Sequence, residues 1–593
     1  MQDLDHPEPI LRMRVPNPLI EQQGLAVGLH PVIAKIIAAR PLYEELPLLE
    51  ALSPKLKHLS SPFNMQDIKR AAARVANAII KGECIGIETD HDCDGQTSHA
   101  VLYYNLVERF YHPKEKIRSY IGHRLKEGYG LSDALATRIL NDEPKPSLVI
   151  TADNGSSDEP RIARLKAAGM DVIVTDHHEI PKVGLPQSAY AVLNPTQKAC
   201  LYSDPFIAGC MVAWLLMVAT RQHLINDDYL PKETPSLADS LDFVAVGTVA
   251  DCVSMARSHN NRAVVAFGLH LINKGTRPCW RVIKDVIISE VNSIDLGFRI
   301  GPLLNSDGRL ACAFGSVNFL LAETEEEAYP WIEVLQKHNQ NRKTIQQTIV
   351  EEGLKKAKTQ VDAGYLSLCL YLPEGHSGVQ GIAASRIKEV FGRPCAIFAP
   401  KIGSEGIITG SVRGIDDFHV RDALQCAANE NEEKIISFGG HKGAGGITLK
   451  LRDFEWFKEA FERGTRLQLN ADSVGPIVWT DGALPLSELN FELLEALNVL
   501  EPFGREFEAP IFEMDAFIKN IQWVGDGTHA RLVLESENKV VNAIWFSART
   551  SKEIPLKVKI GDKIKIAYLA KKNYFRGKVS MDIQVIHLMS HSG

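Results

Sequence analysis

Between residues 65 and 260 the chain alternates helix-like and strand-like segments, and this alternation constrains the fold more than any other feature. A helix-like stretch, Met65 to Ile80, runs into the apolar segment Cys84 to Ile87. Further strand-like runs follow at Ser147 to Thr151, Asp171 to Thr175 and Ala191 to Leu193, each separated by helical patterns. Strands spaced by helices build βαβ units and a mainly parallel α/β sheet. In such sheets ligands bind beyond the carboxyl ends of the strands. Polar clusters fall at those places: Asp90-His91-Asp92-Cys93-Asp94-Gly95, Asp153-Asn154-Gly155 and Asp176-His177-His178. A fourth acid, Asp251, ends Val246-Gly247-Thr248-Val249-Ala250-Asp251, where glycine and small residues let the backbone turn sharply beneath the carboxylate.

Three aspartates at alternate positions repel unless cations lie between them, and hard divalent ions such as Mg²⁺ or Mn²⁺ suit them. The bland alternative is a solvated acidic turn; an EF-hand is disfavoured because no glutamate stands at the twelfth loop position. Asp153 taken alone could cap the next helix. Adjacent histidines are uncommon in a core, because two imidazoles need two polar partners. Taken together the clusters supply carboxylates and imidazole for two cations, a pair that activates water and clamps the oxygens of a phosphoryl displacement. Structural zinc would call for Cys and His at short spacing.

A chain of 593 residues exceeds a single core and divides into about three or more domains. Its net charge of −7 gives no global signature of nucleic-acid binding, so any such surface is local. Ten cysteines without a CxxC pair favour a reducing compartment. Met1 to Leu19 carries early acids and prolines, unlike a signal or transit peptide, and the apolar run Ile207 to Ala219 is too short to span a bilayer. A cytoplasmic protein without membrane contact is expected.

The ordered set Asp90 to Gly95, Thr151 to Gly155, Asp176-His177-His178 and Gly247 to Asp251 resembles the successive motifs of the DHH phosphoesterase family. Arg124 with Glu127-Gly128-Tyr129-Gly130, Asn194-Pro195, Asn261-Arg262, Gly301-Pro302, Asn305 and Gly308-Arg309-Leu310 extend the match toward its exonuclease members. The resemblance implies two ions, Mn²⁺ or Mg²⁺, held by Asp90, Asp92, Asp94, Asp153, His177 and Asp251, with Asp153 bridging. It implies that His178 sits beside the scissile phosphate and that Asp176 orients an imidazole.

From Glu325 to Lys358 a charged, glutamine-rich helix of about 30 residues would extend on the order of 45 Å, enough to bridge two domains. Asn339, Asn341 and Arg342 within it read as a solvated face. Beyond it, strand-like Leu366 to Leu372 and Pro394 to Ala399 accompany His376 to Arg386, Gly410-Ser411-Val412-Arg413 and Gly439 to Gly446. Glycines at this density let backbone amides approach an anion. The set is similar to the DHH-associated substrate-binding domain. By that resemblance Arg124, Arg309, Ser411 and Arg413 hold substrate phosphate, His441 faces the scissile region, and Asn305 and Gly440 are further substrate-binding residues. Ser306-Asp307 and Gln380 depart from the family's usual apolar residues.

Residues 466–506 read as a connecting segment, helical from Leu484 to Leu500 and broken at Glu501-Pro502-Phe503-Gly504. Short alternating strands then suggest a small β-barrel, an OB-fold. Lys557, Lys559, Lys563, Lys565, Lys571, Lys572, Arg576 and Lys578 interleave with Tyr568, Tyr574 and Phe575, a pattern suited to single-stranded DNA. Lysines guarding edge strands are the alternative. The expected domains are 1–60, without identifiable chemistry; 61–324, DHH catalytic; 325–362, connecting helix; 363–465, DHH-associated; 466–506, connector; and 507–593, OB-fold.

The resemblance implies a two-metal, single-stranded-DNA-specific 5′-to-3′ exonuclease that releases mononucleotides in DNA repair and recombination. Its partners would be a strand with a 5′ end, a single-stranded-DNA-binding protein and a helicase. The alternatives are a phosphodiesterase of the same family acting on short oligonucleotides or cyclic dinucleotides, and an inactive replication scaffold that binds single-stranded DNA.

Overall fold

The structure is a computed structural model describing residues 7–42, 46–124, 126–287, 290–310, 313–525, 527–549, 558–575 and 578–590. Lys557 and Arg576 lie outside the described residues, as do the side chains of Tyr574, Phe575 and Lys578. Five parallel strands form the first sheet: β1 (Ile85–Thr89), β2 (Ile117–Ile121), β3 (Leu148–Ala152), β4 (Asp171–Thr175) and β5 (Ala191–Leu193), in the order β2-β1-β3-β4-β5. Every residue of β1 and β3 is buried, as expected of central strands covered on both faces. The edge strand β2, Ile-Arg-Ser-Tyr-Ile, escapes the sequence pattern because its middle residues are only partly buried. Chain order reverses at β1, whose neighbours are β2 and β3, so a crevice opens at the carboxyl ends of β1 and β3.

Three helices close behind that crevice: α1 (Cys93–Tyr104), α2 (Gly209–Asn226) and α3 (Leu241–Ala250). Gly247 lies inside α3, where an added Cβ would collide with Thr97 of α1 and stand 2.6 Å from Cys210 Sγ of α2. The expected sharp turn is therefore not made by Gly247 and its small neighbours; the chain turns after the helix, at Asp251 and Cys252. Glycine is needed for the close crossing of three helices, and Asp251 caps the carboxyl end of α3.

After α4 (Gly301–Leu310), the 38-residue helix α5 (Glu325–Asp362) would extend about 57 Å. It packs on α4 at one end and on the second sheet's β6 (Leu368–Tyr371) and helix Gln380–Phe391 at the other. That sheet continues with β7 (Cys395–Pro400), β8 (Ile407–Arg413), β9 (Ile435–Gly440) and β10 (Ala444–Lys450), ordered β9-β10-β8-β7-β6. The last five strands, β11 (Phe512–Val524), β12 (His529–Ser536), β13 (Lys539–Trp545), β14 (Lys563–Phe575) and β15 (Lys578–Ser590), close as β11-β12-β13-β15-β14. Among the described residues, no helix is long and apolar enough to cross a membrane.

Residues 466–506 do more than connect. Ile477–Thr480 pairs in parallel with Ile10–Met13, and Asp481 accepts hydrogen bonds from Arg40 Nη1 at 2.7 Å and Nη2 at 3.2 Å. Leu484, Leu486 and Leu489 join one continuous apolar cluster with the first domain and the barrel interior. Helix begins only at Phe491, running to Ala496 with a tighter turn to Leu500.

Arg262 fastens the junction. Its Nη1 donates to Pro502 O, and its Nη2 to Leu52 O, Leu500 O and Glu501 O, at 2.8 to 3.3 Å, above the Phe507 ring. Burial pushes this guanidinium down to about 10. Replacing Arg262 with methionine keeps the apolar stem but orphans carbonyls from separate segments. The expected cost is about 3 kcal/mol, read as a lower first unfolding transition and faster proteolysis between the barrel and the body.

Candidate active site

The first cluster is built by the turn from β1 into α1. Asp92 caps α1, its Oδ1 accepting from Asp94 N at 3.0 Å and Gly95 N at 3.1 Å. Asp94 is clamped from α2, accepting from Gly209 N at 2.7 Å and Cys210 N at 2.9 Å. Asp153 follows β3 with φ 63°, and Gly209 leaves room for it: a Cβ there would lie 2.8 Å from Asp153 Cβ. His177 Nε2 reaches three of the acids, at 3.2 Å from Asp153 Oδ1, 3.6 Å from Asp251 Oδ2 and 3.8 Å from Asp94 Oδ2.

Ligand atoms converge in three sets: Asp90, Asp92 and Asp153; Asp94, His177 and Asp251; and Asp153, His177 and His178, each set within 4.8 Å. Asp153 and His177 each belong to two of the sets. Burial, followed by the charges of neighbouring acids, pushes the Asp153 and Asp251 carboxyls well above the usual range. Burial and the neighbouring His178 lower His177, which leaves a neutral imidazole able to bind metal. Asp153 Oδ1 and His177 Nε2 are buried and face each other at 3.2 Å without forming a hydrogen bond, whereas Asp90 Oδ1 has His91 Nδ1 at 2.9 Å. Buried acceptors left unsatisfied in a crowd of carboxylates fit a pair of divalent cations.

Asp176 faces the other way. Its Oδ1 accepts from His177 N, His178 N and His178 Nδ1 at 2.7 to 3.1 Å, and its Oδ2 accepts from Ser156 N. Burial opposes ionisation of Asp176, but the His178 partner overrides it and holds the carboxyl far below its usual range. The same pairing overrides burial at His178 and pushes it up to about 10. His178 is thus a half-exposed imidazolium at neutral pH, its free Nε2 a donor.

Across the cleft, His441 stacks on His178, ring centroids 6.0 Å apart. It stands at the turn between β9 and β10, where Gly439 pairs with Gly446 and Gly440 with Gly445. The expected amide cradle in Gly439 to Gly446 is therefore a thin hairpin. Gly440, at φ 141°, allows the strands to close, since a Cβ there would meet Ala444 O.

Arg124, Arg309 and Arg413 gather on the same cleft. Arg309 Nη1 donates to Gly378 O of the second domain at 3.0 Å, and burial, then Arg124, pushes it down to about 10. Burial likewise lowers Arg413, whose guanidinium fits beside Gly381 and Ser411 because a Cβ on Gly381 would lie 2.7 Å from Nη2. Arg124 lies over Tyr129, which packs on His91. Asn305 does not face substrate through its oxygen: Oδ1 accepts from Cys93 N at 2.8 Å, holding the acidic turn against α4.

Two residues of this region escaped the sequence reading. Arg342 is 7% exposed, held by Asn339 Oδ1 and Gln346 Oε1, so it lies in the packed interior of α5 rather than on a solvated face. Among the described residues, none of Arg124, Arg309, Arg342 and Arg413 has a carboxylate within 4.0 Å, so this side of the cleft is cationic. Glu88 lies fully buried beneath Asp90 and accepts from Asn154 Nδ2; burial and Asp158 push its carboxyl well above the usual range. A lone acid inside the apolar run of β1 was its only signal.

The barrel also departs from expectation. Tyr568 is fully buried and donates its hydroxyl to Leu484 O at 2.6 Å, so it cannot stack on a base. Lys565 pairs with Glu513, Lys572 with Glu495, and Lys571 donates to Gln584. An exposed and a partly buried aromatic, Phe546 and Trp523, lie where β11, β12 and β13 meet. Phe546 is 53% exposed against His529, and Arg549 covers Trp523 at 3.6 Å. In OB-folds the second and third strands and the first loop form the ligand face.

Three family models match this chain: the DHH family N-terminal domain over residues 84–248, the DHHA1 domain over 366–465 and the RecJ OB domain over 480–587. The single-stranded-DNA-specific exonuclease RecJ of Haemophilus influenzae is 31% identical over 579 residues, 95% of this chain and 97% of that protein. The chain belongs to the RecJ family. Its fold matches the crystal structure of Thermus thermophilus RecJ in complex with Mn²⁺, with a TM-score of 0.79 and 24% identity over 100% of this chain and 81% of that one. A crystal structure of exonuclease RecJ bound to manganese matches with a TM-score of 0.56 and 30% identity over 68% of this chain and 95% of that one. The RecJ OB match begins at residue 480, inside the expected connector 466–506.

Proposed function

We propose that this chain is a two-metal, single-stranded-DNA-specific exonuclease that digests from the 5′ end and releases mononucleotides. The observation that carries it is a buried cluster of acids whose ligand atoms converge opposite a cleft lined by arginines with no carboxylate partner among the described residues. Asp90, Asp92 and Asp153 would hold one cation, Asp94, His177 and Asp251 the other, with Asp153 between them. Bound Mn²⁺ or Mg²⁺ would supply charge neutralisation and activation of water. His178, kept cationic by Asp176, donates from Nε2 to the scissile phosphate as negative charge develops. Arg413, Arg309 and Arg124, with Ser411, hold the terminal phosphate, and His441 closes over the scissile region. A terminal phosphate fixed at one distance from the acids places the first internucleotide bond in reach, so the strand is cut from its end.

The test is a strand labelled at either end, incubated with and without Mn²⁺. Labelled mononucleotide should appear at once from the 5′ label and only late from the 3′ label, with none in chelator. Stronger cleavage of dinucleotides than of long strands would instead favour the small-substrate reading.

The aromatic face of the barrel holds the downstream strand. Trp523→Ala and Phe546→Ala should each weaken binding of a long oligonucleotide, measured by anisotropy in chelator, by about 1 to 3 kcal/mol. Tyr568→Phe should leave that affinity unchanged, since the ring faces the core. Such an enzyme calls for a helicase to expose ends and a protein to keep the strand single. The nine described cysteines are all unpaired, which suits a cytoplasmic setting.

A further inference from the structure

The segment that leads into the barrel lies directly on the loop that follows Asp251. Met255 N donates to Arg505 O at 3.0 Å. Ser254 Oγ donates to Glu506 Oε2 at 2.6 Å, and Arg257 Nε donates to the same oxygen at 3.0 Å. Gly504 is pressed against Met255, with no room for a Cβ. Glu506 makes these contacts at φ 62°, a left-handed conformation unfavourable for a side chain of this kind. From the other side, Asn261 Nδ2 donates to Ser254 O at 2.9 Å. Ser254 is therefore gripped from two directions, and Cys252, at φ 59°, forms the turn that joins it to Asp251.

Asp251 has most to gain from that grip. Its side chain is 25% exposed, against 1% for Asp94 and 3% for Asp153. Asp94 and Asp92 are each fixed by two backbone amides. The contact that Asp251 makes within the cluster is with His177, at 3.6 Å. Its place at the edge of the pocket is set by the end of α3 and by the loop beyond it.

We infer that Glu506 is a positioning residue for the metal centre: by pinning the 252–257 loop it holds Asp251 in place, so that seating of the barrel segment and affinity for a cation are coupled. The inference rests on the proposed reading of Asp251 as a ligand. Partners that orient metal ligands are worth about 10- to 100-fold in metal affinity.

The test is Mn²⁺ titration of the full chain by calorimetry, with the melting temperature and oligonucleotide affinity measured in chelator. Glu506→Ala should weaken the weaker of two Mn²⁺ sites about tenfold while leaving oligonucleotide affinity unchanged. Ser254→Ala, which deletes the 2.6 Å bond without touching the strained backbone, should shift it in the same direction and decides the matter if Glu506→Ala does not fold. Wild-type Mn²⁺ affinity in a folded Glu506→Ala, or in Ser254→Ala where that variant must decide, overturns the inference. Asp251→Asn is the reference: if it too binds Mn²⁺ normally, the ligand reading itself is at fault, whereas weakening by Asp251→Asn alone removes only the role of Glu506.

Discussion

Replacing Asp153 with asparagine is expected to abolish phosphodiester hydrolysis and to raise the melting temperature of the metal-free protein. Both effects have one cause. Asp153 shares its pocket with Asp90, Asp92, Asp94 and Asp251, and its charge is disfavoured first by burial and then by those neighbours. Two carboxylate charges within 4.8 Å of each other at an effective dielectric of 20 repel by on the order of 3 kcal/mol or more. Asparagine removes one such charge, keeps the shape and tolerates the left-handed backbone at φ 63° better than most residues. The same change leaves the Asp90, Asp92 and Asp153 set, and the Asp153, His177 and His178 set, each one charge short. Loss of several kcal/mol of transition-state stabilisation corresponds to about a thousandfold or more in turnover. Mononucleotide release reads the first effect and a thermal melt in chelator the second. Added Mn²⁺ should raise the melting temperature of the wild type but not of the variant. Near-normal hydrolysis, or a lower melting temperature in chelator, would contradict this account.

Much of the first domain was legible because its signals are local. Buried parallel strands read as continuous apolar runs, and the acids and histidines follow them within a few residues, so β1, β3 and β4 announced both the sheet and the clusters at its edge. Asp251 could be found but not placed, because Gly247 looks the same in a turn and in a close helix crossing. Other errors were errors of periodicity. On α5, Ala328, Leu335, Arg342 and Ile349 are all buried at seven-residue spacing, so Arg342 stood on the packed face. On β14, Ile564, Ile566 and Tyr568 are buried at alternate positions, which turned Tyr568 inward. Trp523, Phe546 and Arg549 had no such signal. Trp523 lies near the end of β11 while Phe546 and Arg549 follow β13, and Arg549 covers Trp523 only because β12 pairs with both strands.

Arg413→Ala should erase the preference for a 5′-phosphorylated strand end. The guanidinium is partly buried near Arg124 without a carboxylate in reach, an arrangement that an incoming phosphate stabilises. A charge-assisted hydrogen bond contributes about 1.5 to 3 kcal/mol, so kcat/KM on a 5′-phosphorylated strand should fall roughly 10- to 100-fold. A strand ending in a 5′-hydroxyl should lose much less, because it offers the arginine no terminal dianion. Lysine at this position should recover only part of the loss, since an ammonium cannot grip two phosphate oxygens in a fixed plane. The variant should fold at least as well as the wild type without DNA, because removing a partly buried cation that has no carboxylate partner leaves no acid unpaired. Arg309 is a less clean test: its Nη1 also donates to Gly378 O, so its loss would loosen the second domain as well as the phosphate site. If Arg413→Ala slowed both strand ends equally, the arginine would be acting on the scissile phosphate rather than on the terminal one, and the ruler that makes this enzyme an exonuclease would have to be sought elsewhere in the cleft.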